Sequence, residues 1–219
     1  MKPEFWKERW QTGMTGWHRD EVHPDLIAHQ DWLLGEGDHR VLVPLCGASL
    51  DLDWIRRQGD TAVGIELSEI AVRSLYERAE LTPEVTVRGD KRIFRSPGLV
   101  VICGNVFDVT LEDVGPVDRI WDRAALVALP GEVRRQYVPQ VLSLLRPGGR
   151  VLLNTLSYND CGKSGPPHSV DDLEVSRLYR DCEIEVFERR DLSDEIRPDW
   201  RDLGMNRMFS HLSRIVAPA

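Results

Sequence analysis

The stretch RVLVPLCGASLDLDWI, residues 40–55, decides how the chain folds. RVLVPL is an almost unbroken apolar run, the pattern of a strand buried on both faces. Ser49 is a good N-cap for a helix over SLDLDWIRRQG, and Gly59 supplies the residue that lets that helix stop. A second apolar run, TAVGIEL, follows at once. Strand, helix and strand in so short a span make a right-handed crossover, and the alternation predicts a parallel sheet covered by helices on both faces.

The turn between strand and helix limits the ligand. A pyrophosphate is cradled where three glycines let the backbone approach it at a helix N-terminus. LCGASL has only Gly47, which argues against a dinucleotide and leaves room for a nucleoside without phosphates. Glu66 closes the second strand about 20 residues on, where an acidic side chain takes ribose hydroxyls in such sheets. S-adenosylmethionine meets these conditions: Glu66 for its ribose, an apolar slot edged by Asn105 and Val106 for its adenine, and the turn after the first strand for its methionine end. The competing explanation for Glu66 is an acid that merely solvates a helix start.

Outward from this unit the alternation continues. SEIAVRSLYERAEL predicts a helix with Ile70, Leu75, Ala79 and Leu81 on its buried stripe, stopped by Pro83. VTVRGDKRIF predicts a hairpin turning at Gly89-Asp90 and inserted between units. LVVICGNVFDV and VDRIWDRAAL predict strands that run into polar corners. EVRRQYVPQVLSLL places Val133, Tyr137, Val141, Leu144 and Leu145 on one helical face, with a kink or break expected at Pro139. RPGGRVLLNTLSY predicts a further buried strand, NDCGKSGPPHS a loop long enough to be functional, and the alternating segments CEIEVFERRDL and MNRMFSHLSRIVAP a closing antiparallel pair.

Residues 1–219 read as one domain. The 36 Asp and Glu against 28 Lys and Arg give a net charge of −8, so no general positive field draws in a nucleic acid. No apolar run approaches a membrane span, and a soluble protein without a secretory signal is expected. Cys46, Cys103, Cys161 and Cys182 include no CxxC pair, which suits reduced thiols; a cytoplasmic monomer with a small-molecule substrate is expected. His18 and His23 lack the i, i+4 spacing of a helical metal site, so capping and packing roles are expected and no metal is assigned. Residues 1–35 hold Trp6, Trp10, Trp17 and Trp32, four of the seven tryptophans. Such an arm either packs its indoles on the sheet edge or lies over the active site as a lid.

The segments FWKERWQTGMTGWH, VLVPLCGASLDLDWI, VGIELSEIAV, IWDRAALVALP, LLRPGGRVLL and SGPPHSV occur in this order along almost the whole chain. Together they resemble the thiopurine S-methyltransferase family, in its bacterial members. The resemblance implies the α/β fold of class I S-adenosylmethionine-dependent methyltransferases, a seven-stranded, mostly parallel sheet with helices on both faces and a reversed last strand. It implies methyl transfer from S-adenosylmethionine to the sulfur of aromatic or heteroaromatic thiols such as thiopurines. By the same resemblance Trp10 closes over the cofactor, Leu45 offers a backbone contact to its methionine portion, Glu66 takes the ribose, Asn105 and Val106 meet the adenine, and Arg123 lies near cofactor and acceptor.

Arg123 and, by a looser match, Arg197 in DEIRPDW are the candidate catalytic residues, as cations that bias a thiol acceptor toward its anion. The alternatives are a salt bridge from Arg123 to Asp122 or Glu66, and a solvated loop charge at Arg197. The chain has Ala48 where relatives often carry Lys, and His168 where they often carry Phe; the second difference lies in a loop expected to line the acceptor pocket. Rival functions are methyl transfer to inorganic selenium, tellurium or halide-like acceptors, and a non-catalytic nucleoside sensor. An NAD-dependent oxidoreductase is disfavoured by the missing glycines.

Overall fold

The computed structural model describes residues 3–219. An arm of three short helices, α1 (Pro3–Thr12), α2 (Pro24–Ala28) and α3 (Gln30–Leu33), leads into β1 (Arg40–Pro44), α4 (Leu50–Arg57), β2 (Thr61–Glu66) and α5 (Glu69–Arg78). The hairpin β3 (Glu84–Arg88) and β4 (Lys91–Ser96) precedes β5 (Leu99–Cys103), α6 (Leu111–Val114), β6 (Val117–Arg123), α7 (Gly131–Leu142) and β7 (Leu145–Tyr158). The chain closes with α8 (Asp172–Leu178), β8 (Glu183–Asp191), α9 (Pro198–Arg201) and β9 (Met208–Val216).

The sheet order is β3-β4-β5-β2-β1-β6-β7-β9-β8. Strands β5, β2, β1, β6 and β7 run parallel, and β9 runs antiparallel to both β7 and β8. The expected seven-stranded arrangement with its reversed last strand is therefore present. The inserted hairpin pairs antiparallel with β5 and extends the sheet to nine strands. Gly89, at φ 58, provides the left-handed first turn residue that a tight two-residue hairpin needs.

Alternate residues of each central strand feed the two faces. Leu42, Val63, Ile120 and Val151 pack toward Tyr137, Val141, Val175 and Tyr179 of α7 and α8. Val41, Ala62, Trp121 and Leu152 pack toward the other layer, with Leu26, Leu52, Ile55 and Val72. Burial of one such aliphatic side chain contributes roughly 1.5–3 kcal/mol, so the parallel strands are the most heavily stabilised part of the sheet. Ser49 caps α4 by accepting from the Asp51 amide at 3.2 Å, as its position predicts.

Two local expectations change. On α5 the buried residues are Ala71, Val72, Leu75 and Tyr76, whereas Ile70 is 48% exposed. With Ala71, Val72, Leu75 and Tyr76 on the packed face, the 3.6-residue period leaves Ile70 on the outer one. The break expected at Pro139 does not occur: α7 runs through it to Leu142. Pro139 sits in the last turn, and the carbonyl it leaves unpaired belongs to exposed Arg135, where water can bond it. Leu144 and Leu145 are buried as expected, but beyond the helix end, with Leu145 opening β7. No helix among the described residues is long and apolar enough to cross a membrane.

Candidate active site

Strand β1 lies between β2 and β6, and the chain leaves it in opposite directions, so a crevice opens at the carboxyl ends of β1 and β6. Leu45 follows β1 at φ 49 and Ala124 follows β6 at φ 64. Left-handed backbone at residues with a Cβ costs of order 1–3 kcal/mol and persists where its surroundings enforce it. Beside Ala124 the enforcing group is Asp122, fully buried, which accepts from the Leu126 amide at 3.2 Å and from the Tyr137 hydroxyl at 2.7 Å. Burial raises the Asp122 carboxyl to about 6.

A cleft of about 1020 Å³ opens there, and Trp10, Leu45, Glu66, Asn105, Val106, Arg123 and Arg197 all line it. Glu66 is 6% exposed. Its two oxygens accept from the backbone amides of Gly47 at 2.8 Å and Ser68 at 2.7 Å, tying the end of β2 to the β1 turn. Burial pushes its pKa up and the amides oppose that shift. Each oxygen retains a lone pair for a further donor. Gly47, at φ 55, is needed twice over: a Cβ there would come within 2.9 Å of the Trp10 ring, which lies against the turn.

Asn105 uses its carboxamide locally, accepting from the Phe107 amide at 3.3 Å and donating to Asp108 at 3.1 Å. Val106 is buried, and its carbonyl accepts from Gln140 at 3.1 Å. Arg123 is largely desolvated, which lowers its pKa, and it donates to the Trp17 carbonyl at 3.2 Å. Neither Asp122 nor Glu66 pairs with it, and among the described residues no other carboxylate does. Arg197 differs. Its guanidinium is 61% exposed at the cleft rim and pairs with Asp199 at 3.0 Å.

The tryptophan arm divides. Trp6, Trp10 and Trp17 pack edge to face, with ring centres 5.1 Å and 6.2 Å apart, and wall the cleft. Trp32 instead packs under Arg150 and Arg214, whose guanidinium carbons lie 5.6 Å and 5.4 Å from its ring. His23 caps α2, its Nδ1 accepting from the Asp25 amide at 3.2 Å, and burial lowers its pKa to about 4. His18 meets Arg78.

Polar lining residues that escaped the reading of the sequence include Arg19, Asp25, Asn154, Arg190 and Ser210. Asp25 is 3% exposed, accepts from Asn154 at 2.9 Å and pairs with Arg190. Asn154 stands opposite Arg123 in the β6–β7 register. A polar residue inside the apolar run VLLNTL was the available signal. The loop that carries His168 lines the cleft through Gly165, Pro166 and Pro167, while the His168 ring, with a buried, unpaired Nε2, is not among the lining residues. Its amide is tied to the Val127 carbonyl at 2.7 Å.

Residues 1–216 match the family model described as Thiopurine S-methyltransferase. The chain belongs to the thiopurine S-methyltransferase family. It is accordingly an S-adenosylmethionine-dependent methyltransferase. A thiopurine S-methyltransferase of Pseudomonas fluorescens (strain SBW25) is 41% identical over 219 residues, covering 99% of each chain. One of Xanthomonas campestris pv. campestris (strain 8004) is 39% identical, covering 98% of this chain and 99% of its own. Among solved structures, a SAM-dependent methyltransferase from Anabaena variabilis superposes with TM-score 0.67 at 12% identity, covering 98% of this chain and 94% of that one. The 1,6-didemethyltoxoflavin-N1-methyltransferase of Burkholderia thailandensis gives 0.65 at 15% identity, covering 98% and 87%. These likenesses establish the methyltransferase fold, while membership of the thiopurine S-methyltransferase family rests on the sequence matches.

Proposed function

We propose that the cleft methylates the sulfur of aromatic or heteroaromatic thiols, with S-adenosylmethionine as donor. The observation that carries this reading is that one cleft holds both a nucleoside end, at Glu66, Asn105 and Val106, and an aromatic end beside Arg123. The residues fit the donor. Glu66 is held by two amides with lone pairs left for ribose hydroxyls, and Gly47 keeps the turn bare where Trp10 covers it.

The donor carries its methyl on a positively charged sulfur, so transfer to a thiolate removes charge and favours a dry site. Trp6, Trp10 and Trp17 supply the water-excluding wall. Arg123 has N–H groups to spare and biases the acceptor sulfur toward its anion, which an acidic aromatic thiol reaches without a strong base. The remaining work is alignment of the two sulfurs with the methyl carbon, which rigid strand ends and the packed indoles provide.

The test is incubation with methyl-labelled S-adenosylmethionine and a panel of 6-mercaptopurine, thiophenol, selenite, tellurite and iodide. Label is expected on the two thiols. Label on inorganic acceptors alone would replace the acceptor class, and donor binding without product would make the protein a sensor.

A further inference from the structure

One wall of the cleft carries four polar side chains joined by hydrogen bonds: Asp25 of α2, Asn154 of β7, Arg190 of β8 and Ser210 of β9. Asp25 is 3% exposed; one of its oxygens pairs with Arg190 and the other accepts from Asn154 Nδ2 at 2.9 Å. The same amide nitrogen reaches the Ser210 hydroxyl at 3.3 Å. Asn154 is also the register partner of Arg123 across the β6–β7 pair, so this wall adjoins the cation assigned to the acceptor sulfur.

The carboxylate decides which way the amide points. An ionised carboxylate has no proton to give, so only the NH2 side of Asn154 can face Asp25. His23 does not relieve this demand. Its Nδ1 lies 3.6 Å from the same Asp25 oxygen but accepts from the Asp25 amide, and burial keeps the ring neutral by lowering its pKa to about 4. The N–H groups of Asn154 are thus spent on Asp25 and Ser210, and its Oδ1 has no donor among the described residues. Ser210 is the mirror case: its oxygen accepts from Asn154, while its hydrogen has no acceptor among the described residues. The wall therefore offers one hydrogen-bond acceptor and one donor, on neighbouring side chains. A carbocyclic ring leaves both unpaired once it displaces water, whereas a heteroaromatic ring with an N–H near a bare nitrogen pairs with both.

We infer that Asn154 and Ser210 read the ring edge of the acceptor, and that the acceptors they select are heteroaromatic thiols that keep a ring N–H after the sulfur has ionised. Asn154 Oδ1 accepts that N–H, the Ser210 hydroxyl donates to the bare ring nitrogen near it, and thiols on carbocyclic rings are the disfavoured class. Asn154 is then a specificity-determining residue, and Asp25 is a positioning residue that acts through it by fixing the orientation of its amide. The inference rests on the sulfur-methylation reading proposed above.

The experiment compares 6-mercaptopurine, whose thiolate keeps one ring N–H on the imidazole, with its 9-methyl derivative, whose thiolate has none, and with thiophenol. The unaltered protein is expected to favour 6-mercaptopurine over the 9-methyl derivative in kcat/KM by about tenfold or more. Asn154→Thr keeps a hydroxyl to donate to Asp25 and removes the carbonyl oxygen. In this variant the preference is expected to shrink to about threefold or less, through a higher KM for 6-mercaptopurine alone. In Asp25→Asn, which no longer dictates the orientation of its neighbour, an intermediate preference is expected. An unchanged dissociation constant for S-adenosylhomocysteine shows that each variant is folded. Equal losses for all three acceptors in Asn154→Thr, or no loss for any, would overturn the edge reading, and an unchanged preference in Asp25→Asn would remove the positioning role. Thiophenol as the better acceptor of the unaltered protein would also overturn it while leaving sulfur methylation standing. Methylation of none of the three would instead remove the sulfur-methylation reading itself.

Discussion

Glu66 and Arg123 carry the most at the scale of single residues, for opposite electrostatic reasons. Glu66 is a buried anion held by backbone amides, so Glu66→Ala orphans the Gly47 and Ser68 amides and removes the ribose acceptor. Binding of S-adenosylhomocysteine is expected to weaken by about 1–3 kcal/mol. An unchanged dissociation constant in calorimetry would take Glu66 out of the site. Arg123 is a desolvated cation with a single carbonyl partner. Arg123→Ala is expected to lower kcat more than it weakens S-adenosylhomocysteine, because the cation holds the bound thiol in its reactive anionic form, which binding of S-adenosylhomocysteine does not require. Equal losses in the two measurements would mark Arg123 as a binding residue only.

At the scale of elements, the features to explain are how the strand ends are held and what joins the closing hairpin to its helix. Asp122 and Tyr137 clamp the end of β6 to α7 and so hold Arg123 and Ala124 in place. Away from the cleft, Ser157 of β7 and His211 of β9 are hydrogen-bonded at 2.7 Å, and Asp172 of α8 lies 2.7 Å from the other ring nitrogen of His211. The spacing is that of a Ser-His-Asp relay, but Ser157 and His211 are buried and neither lines the cleft. The group reads as a pillar between β7, β9 and α8. His211→Leu is therefore expected to lower unfolding stability by roughly 1–3 kcal/mol while leaving KM for the thiol unchanged below the transition. Labelling of Ser157 by a serine-directed fluorophosphonate would contradict that structural role.

Acid sensitivity is a property of the whole molecule. His18, His23, His168 and His211 are all held below the ordinary histidine pKa, chiefly by burial, His23 at about 4. The unfolded chain binds protons at these sites below pH 6.5 where the fold refuses them, so their contribution is present above 6.5 and is lost as pH falls toward the folded values. Glu66 and Asp122 act in the opposite sense, since their raised folded pKa values let the native state take up protons first; for Asp122 the window runs from about 4 to about 6. His23 begins to titrate in the unfolded chain at 6.5, whereas Asp122 takes up its proton in the fold only near 6, so a net loss of stability is predicted from pH 7 to pH 5, read as a lower urea midpoint. His23→Asn keeps an N-cap on α2 and removes one titrating ring, so it is expected to flatten the decline. A midpoint that holds or rises on acidification would show that the buried carboxyls dominate.

The sequence by itself determined the alternation of strands and helices, the Gly47 turn, the acid at the end of β2 and the family motifs, because these are local or fixed-spacing signals. Period-2 and apolar-run patterns report which segments must be buried, and a βα turn with one glycine reports what it cannot hold. The hairpin at Gly89-Asp90 was legible for the same reason. Only the tertiary structure decided which side chains face one another across distant segments. Arg19 and Arg123, Asp25 and Arg190, and Asn154 opposite Arg123 meet through the sheet order and register, which no local pattern encodes. The same holds for the negatives. Ile70 faces outward because Ala71, Val72, Leu75 and Tyr76 occupy the packed face of α5, and the His168 ring is absent from the cleft lining. Helix phase and backbone hydrogen bonding, set by packing against the rest of the molecule, assign each side chain its face.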